Sequence, residues 1–117
     1  MPYDPENVFA KIIRGEIPSD RIYEDDEFIA FRDISPAAPV HILVIPRREG
    51  IASTADLTES DVPWTGRMVL LAARIAREQG VEEDGYRLLM NCGPNGGQTV
   101  PHLHLHLLGG RPLQGFG

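Results

Sequence analysis

His102-Leu103-His104-Leu105-His106-Leu107-Leu108 interleaves three imidazoles with leucines, and how this stretch is read decides the fold and chemistry expected of the chain. Side chains on a β-strand alternate between faces with period two. As a strand, the run lines one face with His102, His104 and His106 and buries Leu103, Leu105 and Leu107 on the other. Imidazole has the unperturbed pKa nearest neutrality, so it can attack, accept or donate a proton with little help from its surroundings. Three of the chain's four histidines fall here, more than the outward positions of a half-exposed strand take by chance. A polyhistidine tag is contiguous, whereas this run continues into Gly109-Gly110-Arg111. Metal binding is the serious competitor, because histidine is a common zinc ligand. Residues four apart on a strand are separated by about 13 Å, yet each ligating nitrogen must come within about 2.1 Å of the ion. Two neighbours in the run can satisfy that; all three cannot without a sharp bend.

The rest of the chain sets bounds. Its 117 residues suit one domain, large enough for a core without disulfides or a structural metal. An apolar fraction of 42% with mixed charge fits a globular protein rather than a disordered one. The single cysteine, Cys92, cannot form an internal bridge, so nothing indicates an oxidising compartment. With no apolar leader and no long apolar run, the expectation is a soluble, cytoplasmic protein with no membrane partner. A net charge of −6 without a basic cluster argues against nucleic acid, whose binding needs many lysine and arginine contacts to phosphate. A single nucleotide stays open, because a few amides and imidazoles can hold it.

Local signals predict five strands and two helices. Asp4-Pro5-Glu6 reads as a helix start, with Val8, Phe9, Ile12 and Ile13 on the apolar stripe and Gly15 at the end. Residues 21–23 and 28–33 form a hairpin around the polar turn 24–27. The prolines of Ile34-Ser-Pro-Ala-Ala-Pro39 break regular structure, and His41 to Ile45 reads as a central strand. Thr58 caps a long helix over 59–79, with Trp64, Met68, Leu71, Ala72 and Ile75 facing the core and Pro63 tolerated near its start. Tyr86 to Cys92 and His102 to Leu108 are the last strands. The expected class is α+β with a mostly antiparallel sheet.

Two further features gather around the histidine row. A buried strand starting with His41 must give that ring a partner or place it at an open end. The economical answer is that it meets the row on a neighbouring strand, fixing which ring nitrogen is free. Asn95-Gly96-Gly97-Gln98-Thr99 precedes the row, and paired glycines let backbone amides approach an anion. Next to the histidines this loop is a candidate phosphate cradle, with Gln98 and Thr99 as added donors.

The chain resembles the histidine-triad (HIT) superfamily, whose signature of three histidines alternating with apolar residues is matched by 102–108. Phe9 to Pro18, Asp33 to His41, Leu43 to Pro46, Asn95 to Gln98 and Leu108 to Arg111 are similar to the Hint branch of nucleoside phosphoramidases. The resemblance covers nearly the whole chain. It implies a HIT-like fold, a five-stranded mostly antiparallel sheet with two helices, extended by homodimerisation around residues 59–92. It also implies hydrolysis of purine nucleotide phosphoramidates through a nucleotidyl-histidine, with no cofactor and no metal. His104 would be the nucleophile, His106 would contact the phosphate and assist the leaving group, His102 would support the row, and His41 would orient His104. Asp33 would accept from the ribose hydroxyls and Ile34 would lie against the base. Asn91, Gly97, Gln98 and Thr99 would surround the phosphate. The branch commonly closes with a tryptophan-bearing tail that reaches the partner's site; here Phe116 is the candidate substitute. Cys92 is expected to be small and buried rather than a reactive thiol. The alternatives are a non-catalytic nucleotide-binding or scaffold protein, and a zinc protein using two histidines of the row.

Overall fold

The computed structural model describes residues 1–115. Its elements are α1 (Val8–Ile13), β1 (Arg21–Glu24), β2 (Phe28–Arg32), β3 (Val40–Pro46), α2 (Val62–Glu78), β4 (Tyr86–Leu89) and β5 (Leu105–Gly109). The strands form one antiparallel sheet in the order β1-β2-β3-β5-β4. Because β3 and β4 are both antiparallel to β5, they run parallel to each other. Parallel strands need a crossover connection, and α2 provides it.

Alternation along the strands sorts the core into two layers. Phe28, Ala30, Ile42, Val44, Leu105 and Leu107 point to the face covered by α2, where Trp64, Met68, Leu71, Ala72 and Ile75 meet them. Ile29, Phe31, Leu43 and Ile45 point to the other face, against Phe9 and Ile12 of α1. β3 is buried on both faces, as expected of a central strand.

Several boundaries differ from the sequence reading, each for a definable reason. The first helix is capped by Asn7 rather than Asp4: the Asn7 Oδ1 accepts from the Ala10 N–H at 2.8 Å. Asp4 instead closes a preceding turn, accepting from the Glu6 N–H at 2.9 Å. Helix begins where Phe9, Ala10 and Ile12 begin to be buried. The long helix starts later than Glu59, because residues Glu59–Asp61 form a 3₁₀ turn. Thr58 and Asp61 close a capping box there, and Pro63 falls in the first turn of α2, where it displaces no hydrogen bond.

The largest departure concerns the histidine run. β5 begins at Leu105, so His102 and His104 precede the strand, and β4 ends at Leu89 rather than Cys92. Ahead of Leu105 the chain leaves the sheet for the loop after β3, where the Leu103 N–H donates to the Ile51 carbonyl at 2.9 Å. That exchange deprives residues beyond Leu89 of a ladder partner. The alternation nonetheless persists: Leu103, Leu105 and Leu107 are all buried in the α2 layer.

Candidate active site

The face covered by α1 carries the histidines. His106 on β5 pairs in register with Leu43, and His41 sits two residues before Leu43 on the same face of β3. This diagonal neighbourhood brings His41 Nε2 to 2.9 Å from His106 Nδ1. His41 thus meets the row, as expected, but its partner is His106 and not His104. His104 packs beside them, with ring centroids 5.0 Å from His106 and 4.8 Å from Phe9 of α1.

Hydrogen bonds to groups of fixed polarity determine where each ring carries its proton. A main-chain carbonyl can only accept and a main-chain N–H can only donate. His104 Nδ1 lies 2.7 Å from the His102 carbonyl, so Nδ1 holds the hydrogen and Nε2 is left with a bare lone pair. The Ala37 N–H donates to His41 Nδ1 at 3.0 Å. His41 therefore holds its hydrogen on Nε2 and gives it to His106 Nδ1. Neutral His106 in turn carries its hydrogen on Nε2. The two adjacent rings have opposite polarity at their free nitrogens: His104 accepts and His106 donates.

His102 is fully buried and different in kind. Its Nε2 donates to the Pro46 carbonyl at 3.0 Å, and its Nδ1 lies 2.8 Å from the Tyr3 hydroxyl. Both ring nitrogens are spent.

The segment 34–39 places the Ala37 N–H, and it is held from outside. Arg111 donates to the Ala37 carbonyl at 2.7 Å. A Cβ on Gly110 would stand 2.8 Å from Pro39 Cβ, so only glycine lets the chain after β5 pass this close. Asp33 lies at the end of β2, its Oδ1 accepting from the Ser35 N–H at 2.7 Å and its Oδ2 3.6 Å from His41 Nε2. Ile34, next in sequence to Asp33, is an apolar residue left 96% exposed.

The glycine loop is more self-contained than its sequence suggests. The Gly97 and Gln98 N–H groups donate within the loop, to the Pro94 and Gly93 carbonyls. The Gln98 amide is buried, donating to the Ala52 and Val100 carbonyls and accepting from the Gly93 N–H. Asn91 donates to the Gly96 carbonyl at 2.7 Å. These groups build the loop instead of standing free as an anion cradle. Thr99 is exposed and, among the described residues, its side chain makes no hydrogen bond. A Cβ on Gly96 would fall 2.4 Å from the Cys92 carbonyl, so that glycine is required by packing. Cys92 itself is exposed, not buried, because β4 ends before it; its thiol donates to Ser53 Oγ at 3.4 Å. Phe116 lies outside the described residues.

Sequence reasoning did not find four contributors: Tyr3, the Phe9 ring as a wall of the site, the Ala37 N–H and the Pro46 carbonyl. Two are main-chain groups with no residue-type signal, and Tyr3 lies 99 residues from its partner. A hollow of about 520 Å³ lined by Val81, Asp84, Tyr86, Arg87 and Arg111 lies at the β4 edge and includes none of the histidines. Volume therefore does not mark the chemistry here; the ordered imidazoles do.

Burial lowers the pKa of all four histidines, and His106 is pushed down to about 4 by burial and then by its neighbours His104 and His41. In an unfolded chain the same rings titrate near 6.5. Between those values the unfolded state binds more protons, so stability falls as pH falls. We expect acidification from pH 7 to pH 5 to destabilise the protein, with His106 alone contributing on the order of 1–2 kcal/mol. Thermal unfolding of wild type and His106→Asn checks this: the melting temperature drops in both, less steeply in the variant. A flat or rising profile contradicts it.

The fold and the site define a class: an antiparallel α+β domain that gathers imidazoles of ordered polarity on one face of its interior strands β3 and β5 and of the run leading into β5. The HIT domain model matches residues 14–113, and the chain belongs to that family. It is 56% identical to the purine nucleoside phosphoramidase of Escherichia coli (strain K12) over 108 residues, 92% of this chain and 90% of that protein. It is 46% identical to a 14 kDa zinc-binding protein of Zea mays over 111 residues, 94% of this chain and 86% of that protein. Among solved structures, a HIT family hydrolase from Legionella pneumophila Philadelphia 1 aligns with a TM-score of 0.90 at 43% identity, covering 93% of this chain and 96% of that one. The zinc in the maize protein's name raises the question of donors here. His102 and His41 spend both ring nitrogens, leaving His104 Nε2 and His106 Nε2, fewer than the three or four ligands zinc takes. Among the described residues no group of three or more histidine, cysteine or acidic side chains is placed to hold a metal.

Proposed function

We propose that this chain is a purine nucleoside phosphoramidase, hydrolysing the P–N bond of adenosine or guanosine 5′-phosphoramidates to a nucleoside monophosphate and an amine. The single observation that carries the reading is the opposed polarity of His104 and His106, an acceptor and a donor side by side. The likeness to the E. coli phosphoramidase supports it.

The reaction divides into two displacements. The bare Nε2 of His104 attacks the α-phosphorus, and the P–N bond breaks as the P–Nε2 bond forms. The departing amine takes a proton from His106 Nε2. That proton is held by the His41–His106 pair once an anionic phosphoryl group lies against it, since a nearby negative charge favours the charged form. Asp33, 3.6 Å from His41 Nε2, acts in the same direction. Water then attacks the nucleotidyl-histidine and gives a proton to His106. The P–Nε2 bond breaks, the monophosphate leaves, and His104 returns with its hydrogen still on Nδ1. Throughout, the His102 carbonyl accepts from that Nδ1–H and stabilises the positive charge developing on the attacking ring.

The same proposal assigns the nucleotide contacts. Ile34 offers an apolar face to the base, and Asp33 accepts from the ribose hydroxyls. Thr99 and the second N–H of Asn91 reach toward the phosphate, while Gly97 and Gln98 shape the loop that presents them. The active form is a homodimer joined through β4 and α2, a reading supported by the unpaired edge of β4 and by Val62, Val69, Leu70 and Met90 standing exposed. The protein works in the cytoplasm, in keeping with its lone cysteine; among the described residues no helix is long and apolar enough to cross a membrane.

Incubation with an adenosine 5′-phosphoramidate of a fluorescent amine tests the reading. Stoichiometric release of AMP and amine, with catalytic turnover, is the expected result. Tight AMP binding by calorimetry without turnover of any phosphoramidate would replace it with the non-catalytic alternative.

A further inference from the structure

We propose that Tyr3, on the segment ahead of α1, is a positioning residue: its hydroxyl completes the hydrogen bonding of His102 and so holds the carbonyl that aims His104. The inference rests on His104 being the nucleophile.

Polarity again decides the direction of each bond. The Pro46 carbonyl obliges His102 to carry its hydrogen on Nε2, so Nδ1 is an acceptor and the Tyr3 hydroxyl must donate to it, at 2.8 Å. Burial raises the pKa of the phenol, so it keeps its hydrogen and serves as the donor to His102. Three segments that are remote in sequence thus converge on one ring: the N-terminal segment, the end of β3, and the run ahead of β5.

The consequence passes to His104 through one main-chain group. His102 is fully buried, and its carbonyl is the acceptor that keeps hydrogen on His104 Nδ1, 2.7 Å away. A His102 ring pinned at both nitrogens fixes its own backbone, and therefore the direction of that carbonyl. Among the described residues no buried side-chain nitrogen or oxygen lacks a partner. Without the Tyr3 hydroxyl, His102 Nδ1 becomes such an orphan, open to a second proton. A hydrogen bond to the neutral form of a base disfavours its protonation, so removing Tyr3 raises the affinity of His102 for that proton. The charged and titratable groups facing His102 are His104 on its own segment and Glu49 on the loop after β3. Glu49 is paired at 3.1 Å with Arg14, at the end of α1. An imidazolium at position 102 would draw electron density from the His104 ring and weaken it as a nucleophile.

The ring of Tyr3 also packs near His102, with centroids 5.6 Å apart, so the hydroxyl must be separated from the packing. Tyr3→Phe keeps the ring and removes the donor; Tyr3→Ala removes both. ¹⁵N spectra of the histidine rings and the pH dependence of kcat and KM for an adenosine phosphoramidate are recorded for wild type and both variants. In wild type, His102 stays in the neutral Nε2–H form below the pH at which a free imidazole takes its second proton. In Tyr3→Phe, the His102 Nδ1 resonance moves and titrates at higher pH, and the acid limb of kcat/KM moves up with it. At pH 6, kcat falls about tenfold while KM changes by less than about twofold. Tyr3→Ala adds little further loss. If Tyr3→Phe keeps wild-type His102 resonances and acid limb, and only Tyr3→Ala loses activity, Tyr3 serves packing alone and the proposal falls. A wild-type protein with no phosphoramidate turnover removes the functional reading by itself, because the His102 resonances report the Tyr3 bond whether or not the protein turns over.

Discussion

His104→Ala lowers kcat for an adenosine phosphoramidate by about 10⁴- to 10⁶-fold, the scale seen when a covalent nucleophile is removed. The structure leaves little room for substitution by a neighbour. His102 and His41 spend both nitrogens, and His106 presents a hydrogen rather than a lone pair. Water attacking directly would have to displace an amine in one step, without the covalent route. KM is expected to change far less than kcat, because the ribose and base contacts proposed above fall to Asp33 and Ile34 and not to His104. Steady-state kinetics measures the loss. Intact-mass analysis after rapid quench gives an independent reading, with a nucleotidyl adduct on protein that has His104 and none on the variant. A loss of less than tenfold, in a variant with a wild-type fold by circular dichroism, is incompatible with the mechanism.

His106→Ala is expected to cost about 10²- to 10⁴-fold for an alkylamine leaving group, the usual worth of a positioned general acid. An alkylamine cannot depart as an anion, so its proton must come from the protein. The effect should depend on the leaving group in a way no packing defect would. For a leaving group that departs readily without a proton, such as a nitrophenolate, the first displacement in His106→Ala falls by less than about tenfold. Because the proposed mechanism also has His106 take the proton from water in the second displacement, the adduct on His104 is expected to accumulate in this variant and become visible by mass. Equal losses for both leaving groups would remove His106 from the acid's place. His41→Ala should follow His106→Ala in kind, since the observed bond runs from His41 to His106 and not to His104.

Local pattern was sufficient for much of this. Alternation in 102–108 placed three leucines in the α2 layer of the core and three imidazoles on the opposite face. That outcome survives although only His106 lies within β5. It survives because burial of Leu103, Leu105 and Leu107 is set by hydrophobic period, which an extended chain keeps whether or not it is hydrogen-bonded into a ladder. The helical spacing of Trp64, Met68, Leu71, Ala72 and Ile75 identified the face of α2 for the same reason.

Tertiary structure alone decided the protonation pattern. Whether an imidazole is a nucleophile or an acid depends on the polarity of the group at its other nitrogen. Those groups are the His102 carbonyl, the Ala37 N–H, the Pro46 carbonyl and a tyrosine from the far end of the chain. Every residue but proline has a carbonyl and an N–H, so no residue type announces which one a fold will aim at a ring. The glycine loop teaches the converse. Its residues look like free donors in the sequence, but folding spends the Gly97 and Gln98 amides on the loop itself. Residue types and their period chose the chemistry available to this protein; the long-range hydrogen bonds assigned each histidine its part in it.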